Sequence, residues 1–425
     1  MPTLILLISI LVLTFSGCSP TDNPAPPASS APIEEEVLAT ARGIHDRVLA
    51  LDTHVDIPFN YATEEVDPRK RGESQVDLPK MEEGGLDAAF FIVYVGQTAR
   101  TKANYEKAKA DALTKFDAIH RMTETMYPDR IELAHSADDV SRIHASGKLV
   151  AAIGIENGYV IGKDLSLLAK YHELGARYVT LAHGGHKDIA DSSTPQKGLG
   201  DAEEEHGGLS EFGREVVAEM NRVGIMVDVS HISKKAMLQA VEASKAPVIG
   251  SHSSTRALAD VPRNMDDEQL RALAAKGGVM QTVALGAFVK NPPEKQAAME
   301  KLLEELGISG MGELSSLSEA NRAVFDRKQK EIDARFPAAT VSDFADHIDH
   351  AVELMGIDHV GISSDFDGGG GIVGWNNAAE TFNVTHELVR RGYTEEQIAK
   401  LWSGNLLRVW REVERVAHEL QSGTE

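Results

Sequence analysis

Beyond residue 45 the chain alternates short apolar runs of strand character with amphipathic stretches of helical period. Eight runs stand out: Leu49–Ile57, Leu86–Val95, Leu149–Glu156, Ala176–His183, Ile225–His231, Pro247–His252, Gly278–Ala284 and His359–Asp365. Helices are expected between them at Thr101–Tyr127, Ser210–Val223, Ser233–Glu242, Asp266–Ala275 and Ser342–Met355. Regular alternation of strand and helix predicts parallel pairing with helical crossovers. Eight units favour an α/β fold of the closed (β/α)8 TIM barrel type over an open doubly wound sheet. The Gly-rich phosphate fingerprint of the open sheet follows none of the runs.

Two connections are long. Residues 184–208 are rich in Gly, Asp and His and are expected to form an irregular loop. Residues 285–341 form a helical insertion after the seventh strand, with Asn291 as a cap before Pro292 and Pro293 and helices at about 295–306 and 317–335. Both should rise on the face where barrel active sites lie. The insertion reads equally as a lid, a subunit contact or a surface decoration.

The N-terminus departs from this pattern. Residues 1–18 carry no charge, and Leu4 to Phe15 form an apolar or hydroxyl run. That run is shorter than the ~20 residues of a membrane span and suits a signal-peptide core. Phe15-Ser16-Gly17-Cys18 resembles a bacterial lipoprotein cleavage box that would leave Cys18 lipidated, although no Lys or Arg precedes the run. Ordinary secretion and a buried or accidental apolar N-terminus are the alternatives. Residues 19–33, with five prolines, read as a spacer, so the folded domain is expected over 34–425. The expected location is the bacterial cell envelope, outside the cytoplasm and anchored by lipid. A single cysteine precludes an intrachain disulfide, and a net charge of −22 argues against nucleic acid as a partner.

The polar residues cluster by position. Five of the eight runs end on Glu156, His183, His231, His252 or Asp365, and a sixth carries His54-Val55-Asp56. Residues two apart in a strand share a face, so His54 and Asp56 should both point into the barrel mouth. Each residue alone has a structural reading, such as a satisfied His–Asp hydrogen bond or a carboxylate capping a helix. Together they form an imidazole and carboxylate set suited to a borderline cation such as zinc. Five donors exceed what one catalytic zinc takes and suit two ions with a shared carboxylate.

In this order, Asp52–Pro58, Gly154–Gly158, Leu181–His183, Asp228–His231, Ser251–Ser253, Arg263–Asn264, Gly361–Gly368 and Asn405–Arg408 resemble the membrane (renal) dipeptidase family of binuclear zinc peptidases. The resemblance runs from about residue 45 to 415. It implies His54 and Asp56 on one zinc, His231 and His252 on the other, and Glu156 bridging them. It further implies His183 against the reacting carbonyl, Arg263 on the substrate's terminal carboxylate and Asp365 as the group that transfers the proton. The implied reaction is metal-assisted attack of water on a dipeptide, tolerating a D-residue at the C-terminal position, in a homodimer. Some members also hydrolyse β-lactams weakly. The stretch Gly277–Val283 lacks the Asn-Phe-Tyr found in some members, and Asp367 is followed by four glycines. Asp367 is expected to brace that glycine turn, whereas Arg263 bracing Asp260 or Asp266 is the structural alternative to its substrate role. The rival functions are another binuclear barrel hydrolase, acting on a lactone, phosphotriester or cyclic amide, and a catalytically dead, lipid-anchored binding protein.

Overall fold

The computed structural model describes residues 31–308, 310, 314 and 317–423. The expected signal peptide and Cys18, and all of the spacer except residues 31–33, lie outside the described residues. The first helix, Ala31–His45, opens three residues ahead of the expected domain start. Among the described residues, no helix is long and apolar enough to cross a membrane.

Nine parallel strands follow: β1 (Leu51–Asp56), β2 (Ala88–Tyr94), β3 (Ile131–Leu133), β4 (Leu149–Glu156), β5 (Ala176–Thr180), β6 (Met226–Asp228), β7 (Ile249–Ser253), β8 (Val279–Val283) and β9 (Val360–Ser363). Eight of them pair in the order β1-β2-β4-β5-β6-β7-β8-β9, and Val55 of β1 bridges Phe366 just beyond β9 to close the ring. This is the expected (β/α)8 barrel.

The unexpected strand, β3, pairs with the first three residues of β4, from Leu149 to Ala151, whereas β5 joins β4 only from Ile153 onward. Three residues, Ile-Glu-Leu, show too little alternation to be read as a strand. Several strands are also shorter than the apolar runs. β5, β6 and β9 end at Thr180, Asp228 and Ser363, so His183, His231 and Asp365 sit in the turns beyond them.

The helices begin where their caps lie. The side chains of Thr101, Ser210 and Ser233 each accept a backbone N–H three residues on. Asp266 and Thr340 form reciprocal capping boxes. Asn291 does not cap. The insertion helix starts at Pro293 with Pro292 in the cap position and no side-chain cap bond, because proline's fixed φ suits the first turn without one. The insertion carries Pro293–Glu305 and Glu319–Asp333, packed on each other through Leu302, Phe325 and Ile332.

The barrel interior is lined by Leu51, Phe90, Ile92, Val150, Tyr178, Met226 and Ile249. It continues into the last helix, Asn405–Ser422, whose Trp410 ring lies 5.6 Å from that of Phe90. The apolar filling stops at the level of Ile92 and Tyr178. Above it the mouth is polar.

Candidate active site

Eight of the sequence-predicted residues converge on that mouth. Glu156, at the end of β4, is 4% exposed, and its two oxygens face different neighbours. Oε1 lies 2.9 Å from Nε2 of His231, 3.3 Å from that of His252 and 3.4 Å from that of His183. Oε2 lies 3.6 Å from Nε2 of His54. The same His54 nitrogen is 3.5 Å from Asp56 and 3.8 Å from Asp365. His54 with Asp56 and Glu156, Glu156 with His231 and His252, and His54 with His252 and Asp365 each bring three donor atoms within 4.8 Å of one another.

The protonation of two imidazoles is set from behind. Tyr178 donates its hydroxyl hydrogen to the carbonyl of Thr53 at 3.0 Å, so at 2.9 Å it can only accept from Nδ1–H of His54. Ser251 donates to Asp228 at 2.6 Å, so at 2.7 Å it accepts from Nδ1–H of His252. Both rings therefore turn an Nε2 lone pair toward the mouth. Nε2 of His54 is fully buried and has no hydrogen-bond partner. The Nε2 atoms of His231 and His252 lie 2.8 Å apart. Convergent imidazole nitrogens, one of them without any partner, beside three carboxylates are a donor set suited to a metal ion, with the outer nitrogens of His54 and His252 held as ligating imidazoles need.

The electrostatics agree. Burial, Arg263 and His183 hold His231 far below the ordinary imidazole pKa. Burial and His54 do the same for His252, which keeps both rings neutral. Burial opposes charge on His54, but Glu156 and Asp56 outweigh it and drive its pKa well up, which marks a point where positive charge is favoured. Asp365 is pushed up to about 8 by burial, with Asp56 and Glu156 adding repulsion and His54 and Arg263 opposing.

Arg263 follows β7 and does not brace the acidic residues near it. Asp260 pairs with Arg256 and Asp266 with Lys234, both at 2.6 Å. Arg263 is 7% exposed, donates to the carbonyl of His252 at 2.9 Å and leaves Nε without a partner. Burial lowers its pKa to about 10, and Glu156 and Asp365 hold the charge in place. His183 is the most open of the imidazoles, its ring 4.1 Å from that of His231 and 4.8 Å from that of Tyr94.

Asp367 corrects an expectation. Both Asp365 and Asp367 have a φ of 60°, so strand alternation does not apply to them. Asp367 accepts N–H bonds from Gln75 at 2.9 Å and Val76 at 3.3 Å, tying down the loop after β1. The glycine turn is instead held by the carbonyl of Asp365, which accepts from Gly368 and Gly370. A Cβ on Gly368 would lie 2.4 Å from Asp56 and 2.6 Å from Asp365. The turn must therefore be glycine for those two carboxylates to stand together.

The residues missed by sequence reasoning are those that hold the ligands: Asp52, Tyr178, Asp228 and Ser251. Gly154 was a signal for Tyr178. A Cβ there would meet the Tyr178 ring at 2.2 Å, so the glycine leaves that ring its space. Tyr178→Phe should fold normally yet bind a divalent ion about 10–100-fold more weakly, because His54 loses its orienting partner. Competition with a chromophoric chelator measures this, and an unchanged affinity would remove Tyr178 from the site.

Comparisons with known proteins agree with this geometry. Residues 38–424 match the model of the membrane dipeptidase family, peptidase family M19. Dipeptidase tcpJ of Claviceps purpurea is 34% identical over 355 residues, which cover 82% of this chain and 72% of that one. The probable dipeptidase PvdM of Pseudomonas aeruginosa superposes with a TM-score of 0.83 at 32% identity, over 90% of this chain and all (100%) of that one. A metallopeptidase of Rhodobacter sphaeroides, solved with a phosphinate mimic of the dipeptide L-Ala-D-Ala, shares the fold. Its TM-score is 0.68 at 24% identity, covering 86% of this chain and 99% of that one. The lactone, phosphotriester and cyclic-amide readings fall away, as does the inert binding protein: the chain belongs to the membrane dipeptidase family, and the enzyme is a metallo-dipeptidase.

Proposed function

We propose that the enzyme hydrolyses dipeptides with two zinc ions held by His54 and Asp56 on one side and His231 and His252 on the other, bridged by Glu156. The observation that carries this reading is the division of Glu156, with Oε2 toward His54 and Oε1 toward His231 and His252. Nitrogen and carboxylate donors in this mixture suit zinc. Ions held by these residues would polarise the scissile carbonyl and would lower the pKa of water so that it is nucleophilic near neutral pH.

The chain's own residues supply the remainder. Arg263, with a free Nε aimed from a buried guanidinium, receives the C-terminal carboxylate and limits the substrate to very short peptides. His183 stands beside Glu156 but reaches solvent, and it donates to the carbonyl oxygen as negative charge develops there. Asp365 takes a proton from the attacking water and returns it to the amine nitrogen as the C–N bond breaks. Asp365 stands 3.8 Å from Nε2 of His54, at the edge of the ligand set, which suits that exchange. The reading includes turnover of an L-Xaa-D-Xaa dipeptide, supported by the L-Ala-D-Ala mimic bound by the Rhodobacter relative.

Three tests follow. A panel of L-L and L-D dipeptides should be turned over by the zinc-loaded enzyme. A strong chelator should abolish that activity, and elemental analysis should find two ions per chain. Glu156→Gln should disturb both ions. One ion in active enzyme, retained in this variant, would overturn the binuclear assignment.

Asp365→Asn should keep its metal and bind dipeptide while kcat falls roughly 10²–10⁴-fold, the scale for losing a general base. A near wild-type kcat would exclude the proton-transfer role. Asp367→Asn should chiefly lower stability, since it holds the Gln75–Val76 segment.

We further propose anchoring through a lipid on Cys18, supported by the apolar run before it and the proline-rich spacer after it. Cys18→Ser should move the enzyme from the membrane fraction to the soluble fraction. Retention in the membrane would refute the anchor.

A further inference from the structure

Three lysines are buried, and two of them are satisfied. Lys80 pairs with Asp77 at 3.0 Å and donates to the carbonyl of Gly72, whereas Lys187 donates to the carbonyls of Gly184 and Gly185. Lys115, on the helix Lys102–His120, is 4% exposed, yet its ammonium has no hydrogen bond and no ion pair among the described residues. It lies over two aromatic rings, 5.1 Å from the centroid of Phe59 and 5.7 Å from that of Tyr94. Tyr94 is the residue of β2 paired with Glu156, and its ring lies 4.8 Å from that of His183, so this ammonium borders the active-site mouth. Burial lowers its pKa, while Asp56 and then Glu156 favour its charge. Its Nζ still reaches solvent, and two ring faces within cation–π range favour its charge. Among the described residues none of its three N–H donors has an acceptor, so they are free to meet a ligand.

The position of Lys115 indicates which part of a substrate that is. In the ring of eight strands β2 is second and β7 sixth, so they stand on opposite sides of the mouth. Arg263 follows β7, and Lys115 sits beside β2. A dipeptide whose C-terminal carboxylate meets Arg263 extends its N-terminal residue toward Tyr94, Phe59 and Lys115. Phe59, 52% exposed, and Tyr94 offer apolar surface to the methylene groups of a side chain, and the ammonium lies beside both.

We propose that Lys115 is a specificity-determining residue of the dipeptidase, receiving the carboxylate side chain of Asp or Glu at the N-terminal position of the substrate. This rests on the reading of Arg263 as the holder of the terminal carboxylate. The wild-type enzyme should then turn over L-Glu-L-Ala at least tenfold more efficiently than its isostere L-Gln-L-Ala, measured as kcat/KM. Lys115→Met should bring that ratio close to one, and Lys115→Arg, which keeps the charge, should preserve most of it. A wild-type ratio near one, or a ratio that survives Lys115→Met, would overturn the proposal. L-Ala-L-Ala and its C-terminal amide separate the two readings. The amide should fall by one to two decades, and equal turnover of acid and amide would overturn the role of Arg263 and with it the assignment to the N-terminal position. If the Glu/Gln ratio collapses in Arg263→Met but not in Lys115→Met, the acidic side chain belongs at the other end and the proposal fails.

Discussion

Glu156 sits at the mouth of a closed barrel with imidazoles on both of its oxygens and two further carboxylates, Asp56 and Asp365, around the same His54 nitrogen. Removing a carboxylate from water costs several kcal/mol, and neighbouring carboxylates add repulsion. The protein supplies only part of the compensation. Tyr178 and Ser251 take up the Nδ1–H of His54 and His252, so each ring when neutral turns a lone pair inward and cannot donate to the carboxylates. The raised pKa of His54 expresses the same demand for a cation at that point. Arg263 contributes charge, but its hydrogen bonds go to the carbonyl of His252 and the hydroxyl of Ser253. The arrangement is thus short of positive charge by construction, and that shortage gives the site its affinity for cations.

Two buried aspartates hold this arrangement in the same way. Oδ1 of Asp52 accepts N–H bonds from His54, two residues on, and from Ser364 on the neighbouring strand's extension. Oδ1 of Asp228 accepts from Ser230, two residues on, and from Ser251 on β7. Each carboxylate spans a seam where the backbone ladder is thin: the β1–β9 closure rests on the Val55–Phe366 bridge, and β6 meets β7 at the single pair Asp228–Ile249. Both seams lie beside ligand-bearing residues. Side-chain oxygens replace ladder bonds there, so the strands can splay enough to admit His54, His231 and His252 to one cavity while their N–H groups stay satisfied.

The alternation of eight apolar runs with amphipathic helices made the barrel legible, because a parallel strand buried on both faces reads as a continuous apolar stretch. The site was legible for a related reason. The runs end at the polar mouth, so His, Asp and Glu mark the point where the apolar filling stops. What could not be read was the arrangement behind the ligands. Tyr178 lies within an apolar run and looks like any interior aromatic until Gly154 is seen to leave it space. Asp367 was given the wrong partner because its role depends on Gln75, 292 residues away. Lys115 is one lysine among many on a charged helix, and only the fold shows that it is buried without an acceptor.

Backbone conformation carries the last part of the design. His231 has a φ of 68° and Asp365 a φ of 60°, values that cost non-glycine residues about 1–3 kcal/mol and persist only where surrounding bonds enforce them. Here they are enforced. The carbonyl of His231 accepts from Ser193 at 2.8 Å, which ties it to the loop over the mouth, and that of Asp365 accepts from Gly368 and Gly370. The left-handed turn lets both side chains point back over the barrel axis after their strands have ended. On a strand a ligand position is fixed by alternation, and His54, Asp56, Glu156 and His252 lie on β1, β4 and β7, whereas His231 and Asp365 lie beyond their strands. Those two depend on strained turns held by neighbouring loops, so the longest loop, residues 184–208, helps to position a ligand and does more than cover it.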